Sequence, residues 1–146
     1  MAINKAKVVV GGIAAGVVMG ILEIAINKFY FGTLMVSEMN TFKAGMGDQM
    51  MAANAWWMPL IMDCIAGLLL VWLYAAIRTR FGPGQKTAIY AAIYFWLAGS
   101  FFNMGYAAMG MMAWGTWMAY AVAWLIITMI GASVGGRLYS EDAATV

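Results

Sequence analysis

Of the 146 residues, 65% are hydrophobic and only 10% are charged, where soluble domains carry roughly one quarter charged residues. That composition excludes a water-soluble globule, and a net charge of +2 supplies no basic face for nucleic acid. With no histidine and a single cysteine, Cys64, the chain lacks the commonest acid/base residue and metal ligand and has no disulfide framework.

The first apolar run, residues 7–30, exceeds the roughly 20 residues that a helix needs to cross a bilayer. Lys5 and Lys7 ahead of it resemble the start of a signal peptide. The run passes Glu23 without a convincing small-x-small cleavage site, so we read it as a retained transmembrane helix. Gly12, Gly16 and Gly20 recur every four residues and make a face that a second helix can approach closely. Glu23 and Asn27 fall on that same face.

A polar connection follows over residues 32–54, with Glu38, Lys43, Asp48 and Gln49. Met35, Met39, Phe42 and Met46 recur in it at helical spacing, which predicts one short amphipathic helix on the membrane surface, limited by Gly45 and Gly47. The second span is expected over residues 56–77, with Pro59 in its first turn, where a missing N–H costs least. The join Arg78-Thr79-Arg80-Phe81-Gly82-Pro83-Gly84-Gln85-Lys86 is a tight basic turn and makes spans two and three antiparallel neighbours. Spans three and four are expected over residues 87–109 and 116–139, with a brief turn at residues 110–115. The prediction is a single-domain, all-α integral membrane four-helix bundle.

Lys5, Lys7, Arg78, Arg80, Lys86 and Arg137 share one end of this arrangement, and only Lys28 and Lys43 lie at the other. The positive-inside rule places both termini in the cytoplasm. Interfacial aromatics fit these boundaries: Phe29, Tyr30, Phe31, Trp56, Trp57, Trp114 and Trp117 outside, Tyr74, Phe81, Tyr90 and Tyr139 inside.

At 1.5 Å per residue, Glu23 stands about 24 Å above Lys7, Asp63 about 22 Å above Arg78 and Asn103 about 25 Å above Lys86. Glu23, Asn27, Asp63 and Asn103 are thereby expected to form a buried polar layer in the outer third of the bilayer. A bare carboxylate there costs a few kcal/mol, and two that lie close together do not both ionise cheaply, so one of such a pair is expected to hold its proton. Such a layer serves either as a proton or cation site or as a hydrogen-bonded clasp between helices, with Asn27 or Asn103 as the partner of the acid. The opposite end carries small-residue ladders, Gly12-Gly16-Gly20 in span one and Gly131-Gly135 in span four. These predict tight packing there, within one subunit or between copies, and a cavity that opens outward.

Most of the 15 methionines lie in the outer loop or outer helix halves. Met35/Met39, Met46/Met50 and Met58/Met62 each have the spacing of one helical turn. Thioethers are soft ligands that select Cu(I), and Met35, Met39, Met58 and Met62 are the residues such a site would use. The same methionines serve equally as adaptable packing or as a partner surface. Trp96 and Trp124 lie near mid-membrane, where each indole N–H needs a partner; they either line a ligand site or fill the core.

Residues 68–88, which include the stretch Leu73-Tyr74-Ala75-Ala76-Ile77-Arg78 and the Phe81-Gly82-Pro83-Gly84 turn, resemble the helix two–three join of a family of small bacterial four-span membrane proteins. The resemblance takes in the Glu23/Asn27 pair, Asp63 and the closing Gly136–Tyr139. It implies the four-span architecture and a bacterial inner membrane, and it brings no activity.

No nucleophile–base pair or nucleotide loop is present, so an enzyme is not expected. The leading expectation is a non-enzymatic auxiliary, assembly or scaffold subunit without a cofactor, forming a homo-oligomer or docking to a larger membrane complex. The rival is a small transporter or channel for protons or a soft cation such as Cu(I), built on Glu23, Asp63 and the outer methionines.

Overall fold

The computed structural model describes residues 3–53 and 57–140. They form six α-helices: α1 (Lys5–Ile26), α2 (Gly32–Phe42), α3 (Met46–Ala53), α4 (Met58–Phe81), α5 (Gln85–Ala108) and α6 (Trp114–Leu138). Four helical stretches are long and apolar enough to cross a membrane: Lys5–Phe42, α4, α5 and α6. Where the described residues overlap the expected spans, the boundaries differ by a few residues at most, except at the first. The start expected for span two, at Trp56, lies outside the described residues, as does Asn54.

The first helix does not stop near Tyr30. It runs through a π-helical turn, Asn27–Phe31, directly into α2. Nothing in the sequence breaks it, because Gly32 sits at ordinary helical angles (φ −60°, ψ −49°). The break comes after Lys43, where Gly45 at φ +76° makes the turn, a backbone region that side-chain-bearing residues avoid. The chain between spans one and two therefore holds two helices rather than one. The second, α3, folds back on α2 with Gly47 against the backbone of Val36. Asn40 ties the two together: its Oδ1 accepts from the Gly47 N–H at 2.8 Å and its Nδ2 donates to Asp48 at 3.0 Å.

The four long helices form an up-down-up-down bundle in which α1 packs on α4 and α6, and α5 packs on α6 and more lightly on α4. The core is concentrated toward the end that carries Arg78, Lys86 and Arg137. Val8, Ala15, Met19, Leu70, Val71, Tyr74, Ala75, Ala88, Ala91, Ala92, Ile127, Ala132 and Tyr139 are all buried there. Glycine makes this possible. A Cβ on Gly12 would lie 2.7 Å from the Leu68 Cα, and one on Gly11 2.8 Å from the Gly135 carbonyl oxygen. Both Gly12-Gly16-Gly20 and Gly131-Gly135 therefore pack inside the subunit. The first faces α4, where Gly67 meets Gly12 and Gly16, and the second faces Met19, Gly11 and Ala15 of α1. Tyrosines close this end: the Gly84 N–H donates to the Tyr74 hydroxyl (3.1 Å), the Asn4 N–H to that of Tyr139 (3.3 Å), and the two rings meet edge to face.

Candidate functional site

The polar centre is built where α1, α4 and α6 meet. Gly16 and Gly20 bring the α1 backbone down onto α4, so that a Cβ on Gly20 would lie 3.2 Å from Asp63 Oδ2. Asp63 is thereby buried, with 3% of its surface exposed. The carboxyl of Glu23 is its charged neighbour from α1. Asp63 Oδ2 has no donor among the described residues.

Glu23 is also held from α6. The Tyr120 hydroxyl donates to Glu23 Oε1 at 2.8 Å, and the Trp124 indole N–H donates to the Tyr120 oxygen at 3.0 Å. The π turn contributes from above: Phe31, expected at the outer interface, is instead carried into the core, edge-on to the Tyr120 ring with centroids 5.2 Å apart. π turns inside helices often occur where a side chain has to be re-aimed. Asn27 opens that turn, and its Nδ2 donates to the backbone carbonyl of Glu23 rather than to the carboxyl (3.0 Å).

Of the four residues expected in one polar layer, Glu23, Asn27 and Asp63 come together. Asn103 does not join them; it lies on α5, where its Nδ2 donates to the Gly99 carbonyl at 3.2 Å. The partner of the acid is neither asparagine but Tyr120. Sequence reasoning passed over Tyr120, although its depth was available: it stands about 25 Å from Arg137 along α6, level with Glu23. Glu38 was likewise passed over. Its carboxylate accepts from the Ala113 N–H (3.0 Å) and the Thr116 hydroxyl (2.5 Å), which caps the start of α6 from α2.

Two cavities border Tyr120, and neither is lined by Glu23 or Asp63. One, of about 200 Å³, is lined by Ala66 of α4, Phe95, Trp96, Gly99, Ser100 and Asn103 of α5, and Trp117, Tyr120, Ala121 and Trp124 of α6. The other, of about 170 Å³, is lined by Met35, Met39, Met50, Tyr106 and Met112 together with Asn103, Trp117 and Tyr120. The last three residues separate the two spaces. Trp96 and Trp124 are therefore cavity walls with their N–H groups engaged, Trp96 donating to the Ala121 carbonyl at 2.7 Å. Of the methionines that a soft-metal site would use, Met35 and Met39 share a cavity with Met50 and Met112. Met58 and Met62 lie on the outer surface, 43% and 61% exposed. Cys64 is a half-buried free thiol whose Cα lies against Gly16.

No protein-family model, curated protein or solved structure matches the chain.

Proposed function

We propose that the protein is a non-enzymatic scaffold or auxiliary subunit of the bacterial inner membrane, with both termini cytoplasmic, that self-associates or docks to a larger complex. The observation that carries this reading is the unequal burial of the spans. In α5, 17% of the most apolar window is buried, against 33% in each of the other three. Its outward side presents Tyr94, Leu97, Phe101 and Phe102, the last 80% exposed, beside Gly105, around which there is open space. Large aromatics next to a small residue form a surface suited to another helix. The bacterial setting rests on the resemblance of residues 68–88.

Because Gly16 packs inside the subunit, its substitution tests the fold rather than association. The variant that tests association is the pair Phe101→Ala with Phe102→Ala, studied by native mass spectrometry from nanodiscs. A homo-oligomer or co-purifying complex that dissociates in the double variant, with helical content unchanged, supports the scaffold. A monomer in both proteins refutes it.

A second reading, a transporter or channel for protons or a soft cation, is favoured by the Glu23–Asp63 pair and by the four methionines around one cavity. Such a protein would lose flux in proteoliposomes on Glu23→Gln while still folding. For Cu(I), the thioethers of Met35, Met39, Met50 and Met112 are the ligand set to test, by metal analysis of the Met35→Leu, Met39→Leu double variant. Flux or bound copper that is unchanged in these variants would remove this reading.

A further inference from the structure

We propose that the 200 Å³ cavity between α4, α5 and α6 binds a small, flat, lipid-soluble ring compound bearing a hydrogen-bond-accepting carbonyl, of the kind found in a quinone head group. This goes beyond both functional readings and depends on neither.

Three features of the cavity point the same way. Its walls are the rings of Phe95, Trp96, Trp117, Tyr120 and Trp124, and planar aromatic walls favour a planar guest. Its volume of about 200 Å³ falls below the roughly 300–1,000 Å³ of drug-sized sites and suits one or two rings. The space is kept by small residues: a Cβ on Gly99 meets nothing within 4 Å, unlike those on Gly12 and Gly16 in the packed half of the same bundle. The polar requirement comes from Trp117. Its indole N–H is buried and has no acceptor among the described residues, whereas those of Trp96 and Trp124 are both engaged. An orphaned donor in an apolar setting is destabilising, and an acceptor supplied by a guest would remove that cost. Trp117 borders both cavities, so a guest that draws its ring toward the larger one satisfies the N–H. Hydrocarbon from a lipid tail fills the same volume but leaves that donor unpaired, which is why a carbonyl compound fits better than an acyl chain.

The test is calorimetric titration of the full chain in nanodiscs with menadione, a tail-free methylated naphthoquinone, after subtraction of empty discs. The control ligand is 2-methylnaphthalene, which has the same rings without oxygens. We expect saturable binding of one menadione per chain and at least about tenfold weaker binding of the hydrocarbon, as a site built around a polar contact discriminates strongly against a guest lacking it. Gly99→Leu should abolish saturable binding while far-ultraviolet circular dichroism stays unchanged. Trp117→Phe, which removes the N–H together with part of the ring, should weaken menadione binding roughly three- to tenfold and leave the weaker binding of 2-methylnaphthalene unchanged, so that the contrast between the two ligands reports the N–H. Heats identical to empty discs, or equal affinity for 2-methylnaphthalene, or binding unaffected by both substitutions, would each overturn the proposal.

Discussion

The two halves of this bundle use glycine in opposite ways. At the basic end, Gly11, Gly12, Gly16, Gly67 and Gly135 stand where backbones touch, and an added methyl would overlap main-chain or packed side-chain atoms. At the methionine end, Gly99, Gly105 and Gly115 border open space. The first set removes side chains so that helices can approach; the second set meets no neighbour, and of it Gly99 lines the larger of the two cavities beside Tyr120. Lipid supplies no hydrophobic drive to bring helices together, so dispersion contacts across the glycine faces hold the basic end. Hydrogen bonds join the helices at both ends: Tyr74 and Tyr139 at the basic end, and Tyr120 on Glu23, Trp96 on the Ala121 carbonyl and Glu38 at the start of α6 toward the methionine end. The carboxyl pair sits at the junction of the two regimes, where the last close glycine, Gly20, leaves space for Asp63.

The comparison is broken most sharply by Gly16→Leu. Its Cβ would meet the Asp63 carbonyl oxygen at 2.5 Å, and backbone cannot give way as a side chain does. We expect a loss of about 3 kcal/mol or more, seen as a collapsed thermal transition in detergent. Gly99→Leu at the other end should change the transition by less than about 0.5 kcal/mol, as substitutions without a structural conflict usually do. Equal effects at the two sites would mean that the halves are not packed differently.

Next in size is Tyr120→Phe. It removes the hydroxyl that links Glu23 to Trp124, and losing a hydrogen bond to a carboxyl group at a half-buried site costs about 1.5–3 kcal/mol. Chemical denaturation of the variant checks the magnitude, and a loss similar to that of an arbitrary surface substitution would show that the linkage is not a clasp. A smaller effect, about 1 kcal/mol, is expected for Glu38→Ala, because it removes a cap at one helix end. Hydrogen exchange should show it as faster exchange confined to the first turn of α6, with the basic end unaffected. Spreading of that change to α1 and α4 would contradict the separation of the two halves.

The four spans were legible because each is a long apolar run bounded by charges, aromatics or glycine-proline turns, and bilayer thickness imposes one length on all of them. The depth of the polar residues was legible as well, since helical rise turns sequence distance into height. Height alone does not say which way a side chain faces across the bundle. For that reason Asn103, at the right level, stands apart from the pair, whereas Tyr120, at the same level, completes it.

Local composition thus determined which segments are helical, the order in which they follow one another and which residues carry unusual cost in a membrane. Continuation of the first helix through a π turn became visible only in the tertiary structure, because Gly32 permits a helix as readily as a break, and in the fold Phe31 of that turn packs on Tyr120. The same holds for the glycines: a small residue every fourth position announces that something will come close, but not what. Only the fold assigned Gly12 and Gly16 to α4, and left Gly99 facing empty space, because close approach is a property of two helices and sequence periodicity is a property of one.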